Sequence, residues 1–399
     1  MEFGVLFTSH PNHATEPYPH RAVHARVTAE IQAADRLGYD TAWVAEHHFS
    51  NQYGIMPDVF TYMGYLAAQT SRIRLGTAVV TVPLYDPIRV VENMAFVDIL
   101  SGGRVVLGLG SGYRPYEFEG FGRDFDRRRD VQEEAIDLIL ELLHKRRTRH
   151  AGPHFHSVIE GDYEIFPVSQ QQPHPPLFMA GATDRSLGYA ARHGFGLMLS
   201  TLPSAETLAK QIGLYKSHLK DAPAPLDRNP AFGKVDIARW VYVADTDAAA
   251  KRDTEPGIVR HISHFMGAGT AGYLGNVSEK NRAEGLTYDD LATTTLLHGS
   301  PATVIAKLRE LRHKTGLTSL LLHYPPYYGH EKAMQSLRLF AEKVMPEFSS
   351  EGGSAPLPNL PPKNKGARAE PALEAGPSTA TLARLARSGG RGGGRGRRG

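Results

Sequence analysis

Residues 73–113 read IRLGTAVVTVPLYDPIRVVENMAFVDILSGGRVVLGLGSGY. Two apolar β-type runs, Ile73–Val82 and Arg104–Leu109, flank an amphipathic stretch at Ile88–Leu100. The run RVVLGLG does not alternate polar with apolar residues, as expected for a strand buried on both faces. A buried strand, a helix and a second buried strand in so short a span describe one β-α-β unit with parallel strands.

The unit repeats in both directions. Strand candidates are Phe3–Thr8, Thr41–Ala45, Ile73–Val82, Arg104–Leu109, Leu177–Ala180, Gly196–Ser200, Val235–Ala244 and Thr318–His323. Helical stretches lie between them at Ala22–Leu37, Asp58–Thr70, Ile88–Leu100, Arg127–His144, Asp184–His193, Ser204–Leu219, Thr246–Phe265 and Pro301–Lys314, and Glu331–Met345 follows the last strand. Ser300-Pro301 is a helix start, and Gly38 and Gly194 stand where helices stop. Eight β-then-α units predict an α/β fold, a (β/α)8 TIM barrel. A doubly wound open sheet is the alternative. The barrel is preferred because the first and last β runs are both strongly apolar, and closure leaves no edge exposed. Arg149–Pro176, with room for a small hairpin, and Phe265–Gly299 predict insertions before strands 5 and 8.

The chain has 399 residues, 41% hydrophobic and 22% charged, which is enough for a sizeable core. The composition changes near Phe348. Residues 349–399 are rich in Gly, Pro, Ala, Ser and Arg and have no aromatic residue, which predicts a disordered tail after a folded domain over 1–348. The net charge of +3 hides an asymmetry: nine Lys/Arg and two acids in 363–399 leave residues 1–362 at −4. The terminal RGGGRGRRG permits contact with phosphates but offers no ring for a base to stack on, so nucleic acid is not the expected partner. No apolar run reaches the roughly 20 residues of a membrane helix. The opening MEFGVLFTSHPNH has no signal-peptide pattern. With no cysteine, disulfides, thiolate metal sites and a Cys nucleophile are excluded, and the cytoplasm is the expected compartment.

On a barrel, ligands meet the strand exits. Glu46-His47-His48 follows the second strand and suggests a metal, but neighbours on an extended chain point to opposite faces and no further acid completes a set. No metal is expected; a single histidine, His47, moving a proton fits better. Gly108, Gly110, Ser111 and Gly112 after the fourth strand let a ligand approach the backbone, a need that tight turns share. Gly181 and Ala182 lead into a helix N-terminus suited to phosphate, with Arg185 and Ser186 as further donors. A plain cap by Thr183 or Asp184 is the competing reading.

Together these segments resemble the luciferase-like monooxygenase family. The resemblance runs through LGYDTAWVAEHHF (37–49), residues 73–113, AGATDRSLGYAARHGFG (180–196) and HGSPATVIAKLRELRHKTGLTSLLLHY (298–324). It implies that reduced FMN and O2 oxidise a small organic substrate through a flavin hydroperoxide. O2 needs an electron donor that no side chain supplies, so a cofactor is required. The sequence has no second nucleotide-binding domain, which implies a separate NAD(P)H-dependent flavin reductase as partner; members of the family often dimerise. The resemblance makes His47 the active-site base or acid and places a non-proline cis peptide at Ala78-Val79 beside the flavin. Gly181, Ala182 and Arg185 fall at the flavin phosphate, with Gly110, Ser111 and Ser186 as further cofactor contacts. Phe49, Tyr113 and Tyr324 are the expected pocket walls. Gly110 stands where luciferase has a reactive cysteine and Gly181 where it has a glutamate, so light emission and a long-chain aldehyde are not implied. An F420-dependent oxidoreductase of the same superfamily is the second reading, and a non-catalytic flavin-binding protein the third.

Overall fold

The computed structural model describes residues 1–267 and 287–348. The expected tail, 349–399, and the middle of the expected insertion at 265–299 lie outside the described residues. Eight parallel strands form the barrel: β1 (Glu2–Phe7), β2 (Thr41–Val44), β3 (Arg74–Thr77), β4 (Val105–Gly110), β5 (Leu177–Ala180), β6 (Gly196–Leu199), β7 (Val235–Val243) and β8 (Ser319–His323). Each pairs with the next in sequence, and β8 returns to β1 with Leu6 opposite His323. The ring is closed, which excludes the doubly wound sheet.

The helices are α1 (Arg21–Leu37), α2 (Val59–Gln69), α3 (Pro87–Ser101), α4 (Pro115–Gly120), α5 (Arg128–Lys145), α6 (Asp184–Arg192), α7 (Ala205–His218), α8 (Asp247–Gly267), α9 (Tyr288–Thr294), α10 (Pro301–Thr315) and α11 (His330–Leu339). Their ends follow local chemistry. Ser300 accepts the Thr303 amide ahead of Pro301, and Gly38 closes α1 at φ 88°. Between α5 and β5, Thr148–Ala151 and His156–Ile159 pair as an antiparallel hairpin.

The barrel interior is filled rather than hollow. Trp43 packs there with Val106, Phe178, Met198, Ala238 and Leu321. Gly4 and Gly76 make room for the indole: a Cβ on Gly4 would lie 2.8 Å from it, and one on Gly76 would collide with it. Only the end where the strands exit is left to receive a ligand.

Candidate active site

The third strand is bulged as it reaches that end. Gly76 faces Val106 but Val80 faces Leu109, so the third strand holds one residue more than β4 between the two ladders. Within the bulge the Ala78–Val79 peptide is cis. The Thr77 hydroxyl bridges the gap, donating to the Gly108 carbonyl at 2.8 Å and accepting the Gly108 amide at 2.9 Å. Two glycines of β4 provide the space. A Cβ on Gly110 would lie 2.5 Å from Val79 Cγ2, and one on Gly108 would collide with the Thr77 carbonyl oxygen. Ala78 and Val79 rest on the interior cluster and are half-buried, as are Ser111, Tyr113, Ala180 and Gly181 at the adjoining exits. The mouth therefore offers a floor of small, largely apolar groups.

Trp43 points into the barrel, so alternation places His47 on the same side and Glu46 and His48 on the other. His47 is buried, with its amide donating to the Met56 carbonyl at 3.0 Å. Its Nδ1 lies 3.1 Å from Glu117 Oε1 and its Nε2 3.4 Å from Tyr113 Oη. The same Glu117 oxygen accepts the His48 amide at 2.9 Å. Burial is the strongest influence on His47 and holds its pKa below the ordinary value, against the pull of Glu117. The ring is thus neutral at pH 7, with Nδ1–H donated to Glu117 and the Nε2 lone pair turned toward Tyr113. Burial also opposes the charge on Glu117, but the hydrogen bonds from His47 and the His48 amide outweigh it and hold the carboxyl below its usual range. His48 serves a different carboxylate, 2.9 Å from Glu46 Oε1, whose other oxygen accepts the Tyr85 hydroxyl at 2.6 Å. Among the described residues no group of His, Cys, Asp and Glu is placed to hold a metal ion.

Around this pair lie residues that the sequence did not single out. Arg114 is buried with its guanidinium 4.1 Å from the Tyr53 ring centre and 5.0 Å from that of Tyr113. Tyr53 also meets His47 and His10, with ring centres 4.7 and 5.3 Å apart. Glu117 sits on α4, six residues long and too short to announce itself by periodicity; its signal was Pro115 directly after Arg114.

Two expected pocket walls line other hollows than the one beside His47. Tyr324 follows an inward-facing His323 and so turns outward, lining a crevice with Ser9, His10, Arg26, Glu30 and Leu337. Phe49 is 63% exposed, packs on Phe121 and His48, and lines an open pocket with Tyr116, Glu119 and Gly120. Tyr113 does lie at the mouth.

At the β5 exit the start of α6 is capped by its own side chains. Thr183 and Ser186 form a reciprocal capping box, and Ser186 Oγ accepts the amides of Ala182 and Thr183 at 3.1 and 3.0 Å. Ser186 is therefore not a spare donor. Arg185 reaches α5, with Nε 2.7 Å from Glu133 and Nη2 2.6 Å from Asp130. The amides of Asp184 and Arg185, in the first turn, have no carbonyl within the helix to bond and stand at the exposed rim. Because the Arg185 pairs are exposed, Arg185→Ala is expected to change stability by about 1 kcal/mol or less, readable by denaturant titration.

A closed parallel barrel whose exits hold a neutral, carboxylate-oriented imidazole beside an apolar floor is the architecture of a (β/α)8 enzyme. Residues 1–319 match the model of the luciferase-like monooxygenases, and the chain belongs to that family of oxygen-using oxidoreductases. It is 26% identical over 360 residues to limonene 1,2-monooxygenase of Rhodococcus erythropolis, covering 88% of each chain. To the oxygenase component of the flavin-dependent trigonelline monooxygenase of Acinetobacter baylyi it is 26% identical over 252 residues, covering 61% of this chain and 65% of that one. Against several other relatives the match spans 46–59% of their length. Two solved structures share the fold. The oxygenating constituent of 3,6-diketocamphane monooxygenase from Pseudomonas putida, in complex with FMN, superposes with a TM-score of 0.73 at 20% identity over 87% of this chain and 98% of that one. The F420-dependent tetrahydromethanopterin reductase of Methanopyrus kandleri does so with a TM-score of 0.62 at 20% identity over 87% and 99%. No helix among the described residues is long and apolar enough to cross a membrane.

Proposed function

We propose that this chain is the oxygenase of a two-component system, oxidising a small organic substrate with O2 and reduced FMN delivered by a separate NAD(P)H-dependent reductase. The observation that carries the reading is the half-buried bulge at Ala78 and Val79, seated on two glycines and sharing the mouth with His47. The residues present fit a flavin. A flat ring needs a floor without projecting side chains, which Ala78, Val79 and Gly110 provide, and a phosphate needs donors at the rim, which the first amides of α6 provide. Arg185 stands beside those amides and reaches a phosphate by exchanging its carboxylate partners for it. When bound, reduced FMN would supply the electrons that O2 needs to react. The chain's own contribution is to exclude water at the mouth and to take or return a proton at His47 Nε2.

FMN is preferred over F420 because the trigonelline relative is named a flavin-dependent oxygenase component. The test supplies the purified chain with FMN, a flavin reductase and NADH and follows oxygen uptake and the flavin spectrum after mixing with O2. A transient oxygenated flavin species supports the reading. Tight binding of F420 without that species would transfer the chain to the hydride-transfer branch, and no flavin binding at all would leave a silent barrel. Arg185→Ala is expected to weaken FMN binding about tenfold while the fold persists.

The pH dependence follows from His47. Its base form must be neutral, so turnover falls as pH drops through a pKa that burial has placed below the ordinary 6.5. Glu117 partly offsets burial, and Glu117→Gln removes that charge. The His47 pKa then falls further and the acid limb of the rate profile moves to lower pH. Turnover at the plateau drops about tenfold or more, because Nδ1–H loses its charged acceptor. An acid limb that stays in place or moves up would remove Glu117 from this role.

A further inference from the structure

On the opposite side of the mouth, Trp240 of β7 and His323 of β8 sit directly across from each other in the strand register. They lie one layer above Ala238 and Leu321, which pack in the barrel interior with Trp43. Both are almost fully buried, yet Trp240 Nε1 and both ring nitrogens of His323 have no hydrogen-bond partner among the described residues. Three polar atoms in a buried setting call for an explanation, since a buried donor left unmade is costly and a Phe–Leu pair would fill similar space without it. Trp240 packs on Ile258 and Ile262 of α8, and the rest of the setting is largely aromatic. His261 of α8 roofs the pair, with its ring centre 5.5 Å from that of His323 and 6.0 Å from that of Trp240. It also lies 5.6 Å from His10, whose Nε2 meets the Tyr327 hydroxyl at 3.2 Å.

We propose that Trp240 and His323 form a substrate subsite that takes the oxygen of a neutral, largely apolar ring ketone. The indole N–H can only donate, so the group it receives must be an acceptor. The facing surfaces are rings, so the remainder of the molecule is apolar. The acceptor is uncharged because both partners are: burial pushes His323 down to about 4, and no charged group accompanies that shift. Arg260, whose guanidinium stacks 4.6 Å from the centre of the Tyr327 ring, is the nearby cation that an acidic substrate would engage instead. The inference rests on the proposed function only in naming the substrate class of the same mouth.

The test uses the full chain without flavin, so it reads the subsite alone, while the oxygen assay above judges the flavin reading separately. Affinities for cyclohexanone, methylcyclohexane and cyclohexanecarboxylate are measured by ligand-detected NMR titration. The ketone is expected to bind about tenfold more tightly than either other probe. Trp240→Phe, which removes the N–H and keeps a ring, and His323→Leu each lose about five- to tenfold of the ketone affinity and leave that of the hydrocarbon unchanged. Equal binding of ketone and hydrocarbon would overturn the proposal, as would variants that weaken both alike. Tightest binding of the carboxylate would overturn it in favour of an acid held by Arg260. Should a variant fail to fold, the series on the native chain decides by itself.

Discussion

Replacing His47 by Gln is expected to lower turnover about 10²- to 10⁴-fold while changing flavin affinity by no more than about threefold. Gln fills similar space and keeps the main-chain bond from residue 47 to the Met56 carbonyl. It cannot take a proton at the position of Nε2. The substitution also strips Glu117 of its side-chain donor, leaving a buried carboxylate held mainly by the His48 amide. Stability should therefore fall by about 1–3 kcal/mol. The double variant with Glu117→Gln separates the two effects, because it removes the unpaired carboxylate: stability recovers and turnover does not. Steady-state rates with saturating reduced FMN, and equilibrium unfolding in denaturant, read both quantities. Turnover in His47→Gln within a few-fold of the native rate would take the proton-transfer role from this residue.

Gly108→Ala is expected to be the most damaging single methyl added to the barrel. The new Cβ would collide with the Thr77 carbonyl oxygen, a backbone atom that cannot swing aside, and it would press on Met198 Sδ, 3.0 Å away. To relieve the collision the bulge must lift off β4, which breaks the two hydrogen bonds between Thr77 Oγ1 and Gly108. Overpacking of this kind costs about 1–3 kcal/mol. For a domain of about 350 residues, each kcal/mol lowers the melting temperature by roughly 1–2 °C. Because the displaced segment is the proposed flavin floor, FMN affinity should fall with stability. Gly64, on α2 with open space around its Cβ position, is the control, and Gly64→Ala is expected to raise stability by up to about 1 kcal/mol and leave FMN affinity unchanged.

The barrel was legible because its strands are buried on both faces and read as continuous apolar runs, so the strand candidates coincide with the observed strands to within a few residues at either end. Helices α4 and α9 were not, since six and seven residues carry too few turns for a period to emerge. Losing α4 meant losing Glu117, and with it the group that sets the His47 tautomer. The two-residue alternation that separated His47 from His48 applies equally to His323 and Tyr324. Followed through, it places His323 at the mouth and sends Tyr324 outward, the reverse of the expectation from aromatic character. Tyr324 was expected at the mouth from its aromatic character, and the alternation gives it the other face. Trp240 follows from the same rule once Ala238 is known to face inward. The cis bulge is different. Composition and period say nothing of it, and only the likeness of TAVVTVP to the family brought it into view. At the β5 exit, Thr183 three residues before Ser186 was a capping pattern in plain sight, so the glycine-rich approach to α6 carried less ligand information than its composition suggested.

The central claim is that the strand exits gather around one flavin, its ring on the Ala78–Val79 bulge and its phosphate at the start of α6. A crystal structure of the chain soaked with FMN tests this directly. The account predicts the ring against residues 78, 79 and 110 with His47 at its edge, and the phosphate on the amides of Asp184 and Arg185. FMN bound anywhere outside the barrel mouth, or a ring at the mouth with its phosphate turned away from α6, would contradict it.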